Sequence, residues 1–165
     1  MTKGDNIVPL RASPDSLASK LLTASNFWRR SGSAYYRRHF RLSITDVRIL
    51  TFIEARAPTS LNAMAEHCGI DKTQASRAVK ELLRRKLVTH NKSAKAGPVG
   101  LALDRNGLLM CRKIRPATEA RLKMLIGNAT PAEIERIEAM LDLLLLNARK
   151  SLADEAEAGP TRAAR

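Results

Sequence analysis

Along most of the chain apolar positions recur every three or four residues, the period of a helix that buries one face. The first such stretch opens at Ser13-Pro14, with Ser as cap and Pro as first helical residue. Its stripe Leu17, Leu21, Ala24 and Trp28 carries it toward His39, with Gly32 as a weak point. Ser43 caps a second helix that is apolar nearly all round, at Ile44, Val47, Ile49, Leu50, Phe52 and Ile53. Such a helix belongs at the centre of a core, and Pro58 lies just beyond its end. Ser60 caps a short third helix whose stripe Leu61, Met64, Ala65 and Cys68 stops at Gly69, the residue type suited to the left-handed turn after a helix. A fourth helix begins near Lys72: the Asp71 carboxylate accepts from first-turn amides while Gln74 reaches back. Ala75, Ala78, Val79 and Leu82 form its packing stripe, and Thr73, Ser76, Arg77, Lys80 and Arg84 fall on the opposite side.

Between Leu87 and Leu103 the period changes. "LVTHN" and "VGLAL" have strand character, the second alternating Val99, Leu101, Leu103, and "KSAKAGP" between them reads as the flexible cationic tip of a hairpin. Asp104 then caps a fifth helix over Arg105 to Ile126, bent where Pro116 removes an amide. "TPAE", Thr130 to Glu133, is a capping box that opens a sixth helix running to about Ser151. Its stripe Ile134, Ile137, Leu141, Leu144, Leu145 and Ala148 is flanked by Met140, Leu143 and Leu146. That apolar surface is wider than one side of a small domain needs, so it implies a partner helix. Residues 1–12 and 152–165 have the composition of a disordered arm and tail.

The 165 residues suffice for one domain with extensions. With aromatic content at 4% and no long alternating run, the fold class is mainly α. The formal net charge of +13 implies a polyanionic partner. Position sharpens this: Phe27 to Lys95 holds 15 Lys and Arg against 5 Asp and Glu, whereas Pro131 to Ala158 holds 7 acidic and 3 basic residues. The N-terminus carries no apolar signal segment and no run is long enough to span a bilayer, which leads to the expectation of a cytoplasmic protein without a membrane partner. Cys68 and Cys111 lie far apart without metal-ligand spacing, so neither a metal site nor a disulfide is expected, and Cys68 is read as a small core hydrophobe. Without a paired nucleophile and base, a glycine-rich phosphate loop or a carboxylate pair on one face, catalysis and a bound cofactor are not expected.

A short capped helix, a turn containing glycine and a second helix with polar residues at its start make a helix-turn-helix. The hairpin directly after it makes the unit winged. Such a helix fits the major groove, where Gln74, Ser76 and Arg77 reach base edges, Arg suiting guanine and Gln adenine. Exposed amides near Ser60 suit a phosphate.

Three segments, "SITDVRIL" (Ser43 to Leu50), "SLNAMAEHCGIDKTQASRAVKELLRRKLV" (Ser60 to Val88) and "LALDRNG" (Leu101 to Gly107), resemble the multiple-antibiotic-resistance-regulator (MarR) family of bacterial repressors. The helix order is similar over about Pro14 to Ser151, with motif-level similarity confined to Ser43 to Gly107. The resemblance implies a homodimer built from a first dimerisation helix (13–42) and C-terminal dimerisation helices (104–151). These flank a winged helix-turn-helix domain (43–103), and two copies sit on a palindromic operator of double-stranded DNA. It places Lys72, Thr73, Gln74, Ser76 and Arg77 at recognition-helix contact positions and Ser60 at the cap of the preceding helix. Lys80 joins them as a phosphate contact.

The resemblance also implies repression relieved by a small phenolic or other aromatic acid. Trp28, Tyr35, Tyr36 and His39 share one side of the first helix with Gly32, and Arg48 and Arg115 offer cations for a carboxylate; packing of core and dimer contacts is the competing reading of these residues. A redox-sensing branch of the family uses a Cys near the start of the first helix, and this chain has none there. The wing departs from the family pattern Asp-x-Arg, since Lys95 and Gly97 stand at those places. Lys92 and Lys95 are therefore expected to hold phosphates rather than read the minor groove. A sequence-tolerant architectural DNA binder without an effector is the alternative that the charge also suits.

Overall fold

A computed structural model describes residues 13–91 and 100–158. Their internal contacts divide the chain into two units between Pro116 and Ala117.

In the first unit, local capping chemistry decides where each helix begins. Helix α1 (Leu17–Phe40) starts one turn later than the Ser-Pro signal suggests, with Ser16 as N-cap accepting from the Ser19 N–H at 3.3 Å. Ser13 instead closes a turn: its hydroxyl accepts from the Asp15 N–H at 3.2 Å and its carbonyl from the Ser16 N–H at 3.0 Å. Helix α2 (Ile44–Arg56) opens on a reciprocal box, in which the Asp46 N–H donates to Ser43 Oγ at 3.0 Å and the Ser43 N–H to Asp46 Oδ2 at 2.7 Å. Its Val47, Ile49, Leu50 and Ile53 are buried, as the all-round apolar pattern anticipates.

Helix α3 (Leu61–Cys68) and helix α4 (Lys72–Arg84) pack on α2 through Met64, Ala65 and Cys68 and through Ala75, Val79 and Leu82. Strands β1 (Val88–Asn91) and β2 (Gly100–Leu103) form the antiparallel hairpin, with Val88 opposite Leu103 and Asn91 opposite Gly100. An isolated bridge joins Thr59 to Leu101, so a third short segment lies along the hairpin, a feature the strand pattern alone does not reveal. Helix α5 (Arg105–Ile126) contributes Cys111 and Ile114 to the same core and contains Pro116.

Gly107 explains how closely α5 approaches the rest of this unit. A Cβ there would collide with the Leu87 carbonyl oxygen, which also accepts from the Asp104 N–H at 3.2 Å. Only a residue without a side chain fits at this contact.

The second unit holds the end of α5, a turn with Gly127 at φ 58°, and helix α6 (Pro131–Ala158). The Thr130 box forms in full, with the Thr130 N–H donating to Glu133 Oε2 at 2.8 Å and the Glu133 N–H to Thr130 Oγ1 at 3.3 Å. These bonds hold the Glu133 carboxyl below the usual carboxylate range. Helix α6 runs past Ser151 to Ala158, which corrects the expectation of a disordered tail from residue 152. The apolar stripe ends earlier, but "LADEAEA" is made of strong helix formers and continues the helix to Ala158. No residue of α6 is buried.

Candidate nucleic-acid interface

The turn between α3 and α4 is made by Gly69, left-handed at φ 58° and ψ 41°, whose N–H returns to the Ala65 and Glu66 carbonyls. Ile70 follows, and the Asp71 carboxylate caps α4 by accepting from the Gln74 N–H at 2.8 Å. Here only half of the expected box forms. The reciprocal side-chain bond seen at Ser43 and Asp46 is not made by Gln74, whose amide stays exposed at the surface.

Helix α4 is held by one face and offers the other. Ala75 and Leu82 are completely covered and Val79 nearly so, while Thr73, Arg77, Lys80 and Arg84 form the exposed stripe diametrically opposite. Gln74 and Ser76 flank that stripe on its two sides, Gln74 exposed and Ser76 half-buried, and Lys72 is exposed in the first turn. The cationic stripe is not uniform. Arg84 donates two bonds to Glu81, Nε to Oε2 at 2.8 Å and Nη2 to Oε1 at 2.7 Å, which pulls the Glu81 carboxyl below its ordinary range. Arg77 and Lys80 enter no such pair among the described residues, and both are exposed.

At the start of α3, Ser60 Oγ accepts from the Ala63 N–H at 3.1 Å. The bond uses the oxygen and leaves the hydroxyl proton to donate outward beside exposed first-turn amides, the arrangement that holds a phosphate at a helix N-terminus. Ser60 directly follows Thr59, which is bonded to β2. The capped start of α3 is thereby fixed to the second strand of the hairpin. Lys92, Lys95 and Gly97, the expected wing tip, lie outside the described residues.

The residues considered for an effector sit as follows. Tyr36 and Gly32 are buried, Trp28 and Tyr35 half-buried and His39 exposed. The Tyr35 ring lies 4.5 Å from that of His39 and meets Tyr36 edge-on at 5.6 Å. Arg115 Nη2 donates to Glu54 Oε1 at 2.7 Å, so its charge is already met by a carboxylate on α2. Arg48 is exposed on α2, close enough to Cys68 for its charge to act on the thiol, which burial nonetheless raises above its ordinary value. Among the described residues no group of three His, Cys, Asp or Glu side chains is placed to hold a metal. None of their helices is long and apolar enough to cross a membrane.

Comparison with known proteins agrees with this architecture. A model described as MarR family matches residues 42–97, from the start of α2 through the helix-turn-helix and into the hairpin. The winged-helix lobe matches the MarR family. Solved structures of MarR family regulators share the fold. A MarR/EmrR family transcriptional regulator from Acinetobacter sp. ADP1 superposes with a TM-score of 0.77 at 21% identity, covering 81% of this chain and 94% of that one. The Staphylococcus aureus MepR–DNA complex gives 0.70 at 15% identity over 81% and 96% of the two chains. A Mycobacterium tuberculosis MarR family protein in complex with salicylic acid gives 0.65 at 16% identity over 81% and 99%. No curated protein matches the chain in sequence. Two features of this winged-helix lobe that the periodicity does not disclose are the Thr59–Leu101 bridge and the Gly107 contact. The second was present in the sequence only as the glycine of "LALDRNG".

Proposed function

We propose that the chain is a dimeric, sequence-specific DNA-binding transcriptional regulator of the cytoplasm that represses its target and is released by a small aromatic acid. The observation that carries this reading is the outward stripe of α4. Thr73, Gln74, Arg77 and Lys80 are exposed on a helix whose opposite face is locked into the core, and a reader needs this combination of free polar side chains on a rigid backbone. Ser60 and Lys80 position the protein on phosphates, while Gln74, Ser76 and Arg77 take base edges, with Lys72 and Thr73 at the groove's margin. Lys92 and Lys95 add phosphate contacts from the wing. The chain acts as a binding protein rather than an enzyme, and needs no cofactor.

Dimerisation through α6 brings two such lobes to a palindromic operator, and linking two half-sites raises the effective concentration of the second contact. For the effector, the support is the aromatic group of Trp28, Tyr35, Tyr36 and His39 around the buried Gly32, and the salicylic acid held by a structural relative. Arg48 supplies the carboxylate partner more readily than Arg115, which Glu54 already engages.

Selection of bound fragments from the source genome, followed by footprinting, tests the reading. A protected inverted repeat that competes strongly against random duplex is expected, and release of that complex by salicylate supports the effector. Uniform protection without a preferred sequence would favour the architectural alternative that the net charge of +13 also suits.

A further inference from the structure

The end of α4 away from Gln74 gathers cations. Arg37 and Arg38 stand exposed on the last turn of α1, Arg41 caps it, and Arg85 and Lys86 follow the last residue of α4. Arg85 Nη1 donates to the Arg41 carbonyl at 2.9 Å, so the two helix ends meet. Among the described residues the ion pairs are Arg84–Glu81 and Arg115–Glu54, and neither reaches these five side chains.

The backbone supplies a second, independent observation. Arg41 and Lys86 both have φ 54°, in the left-handed region that a Cβ disfavours, whereas the chain places glycine at the equivalent conformations of Gly69 and Gly127. At the cap of α1 and at the residue after the cap of α4 it keeps cations where glycine is the easier choice. The partial negative charge of a helix C-terminus favours a cation nearby, but it acts as about half a charge per helix and does not account for five. Departures of this kind mark functional surface. Five clustered cations, only partly offset by the Glu81 carboxylate near Arg85, suit a polyanion.

We infer that Arg37, Arg38, Arg41, Arg85 and Lys86 hold phosphates of duplex DNA outside the base pairs that α4 reads. This rests on the DNA-reading function proposed above. A helix of this length spans about 20 Å, while the major groove is about 12 Å wide. Cations a full helix length from Lys72 therefore lie beyond the groove floor and meet the backbone. Such contacts add affinity and salt dependence but no sequence information.

The test replaces Arg41 and Lys86 by glycine together, Arg41→Gly with Lys86→Gly. This removes two charges while giving each left-handed position the residue it favours, so the melting temperature is expected to hold or rise. Binding is followed by fluorescence anisotropy on random-sequence duplexes of about 20 and about 40 base pairs over a range of salt, where each lost phosphate contact removes about 0.9 from the slope of log affinity against log salt. On the longer duplex the double variant is expected to lose about two units of slope, and on the shorter one none. An unchanged slope on the longer duplex overturns the inference, and equal flattening on both overturns the flanking position. A wild-type protein that binds neither duplex fells the DNA reading itself; a protein that binds both with wild-type slopes in the variant fells only the patch.

Discussion

Thr59 and Leu101 exchange both backbone hydrogen bonds, the Leu101 N–H donating to the Thr59 carbonyl at 2.7 Å and the Thr59 N–H to the Leu101 carbonyl at 3.1 Å. The pair ties the residue before the α3 cap to the second strand of the hairpin, so the start of α3 and β2 are joined by backbone hydrogen bonds. The Leu101 side chain is buried beneath this bridge. Leu101→Ala is expected to cost about 2–5 kcal/mol of stability, measured by chemical denaturation. Hydrogen exchange at the Thr59 and Leu101 amides is expected to accelerate together in the variant; acceleration of one alone would show that the bridge does not couple them.

Gly107→Ala tests the closest approach in the first unit. The added methyl would meet the Leu87 carbonyl oxygen, a backbone atom that cannot rotate away, so the first turn of α5 must shift. Overpacking of this kind costs typically about 1–3 kcal/mol and occasionally more. A melting temperature equal to or above that of the wild type, as a simple gain in helix propensity would give, would show that the contact is looser than the geometry states.

At the interface itself, Arg77→Ala is expected to weaken the selected operator and relax its base preference by about 1–3 kcal/mol, the range for one bidentate contact. Lys80→Ala is expected to weaken all duplexes alike. Titrations at fixed salt on matched and mismatched sites separate the two. Equal losses on every sequence for Arg77→Ala would remove it from the reading set.

How much of this was legible follows from the range of each cause. Ser43, Ser60, Asp71 and Thr130 announce their helices because a cap and the amide it binds lie three residues apart. Ser13-Pro14 misplaces the start of α1 because a Ser-Pro pair serves a turn as well as a cap, and Ser16 competes for the role one turn on. The end of α6 is hidden because apolar periodicity stops before helix propensity does. What the sequence does not show are contacts between distant positions. The Thr59–Leu101 bridge has no period, the obstacle to a side chain at Gly107 stands at Leu87, and Glu54, the partner of Arg115, lies 61 residues away. The outward polar face of α4 was legible because a single period sorts its core side from its outer side.

Cys111 gives the fold a dependence on alkaline pH. Burial first, and the nearby Glu54 second, push its thiol from an ordinary 9.0 up to about 11, with Arg115 partly opposing. Between those values the unfolded chain has lost the proton that the folded chain keeps, so stability falls as pH rises from about 9 toward about 11. Denaturation at pH 8 and at pH 10.5 is expected to show a larger loss for wild type than for Cys111→Ala, whose own cavity cost is present at both. The same burial predicts slow native-state reaction with a thiol reagent. Parallel losses in the two proteins would show that other groups carry the alkaline effect.

The dimer proposal stands on α6. Its 28 residues include none that is buried, and Ile137, Met140, Leu143, Leu145 and Leu146 each keep about half of their surface exposed. Fully covering one such side chain is worth about 1.5–3 kcal/mol, so a seam of several is a strong drive to associate and a liability if left open. Leu141 and Leu145, one helical turn apart on the stripe, are the positions to charge. Leu141→Glu with Leu145→Glu places two like charges on that face, and desolvating them opposes association more than it disturbs a helix already exposed along its length. Sedimentation at micromolar concentration is expected to give a species of twice the chain mass for the wild type and of the single chain mass for the double variant. The variant's first unit is expected to keep its protection in hydrogen exchange, because its core does not include α6. Binding to a full palindrome is expected to drop to the level of a single half-site. A wild type that sediments as a folded monomer at micromolar concentration would refute the dimer and leave the apolar face of α6 to another partner.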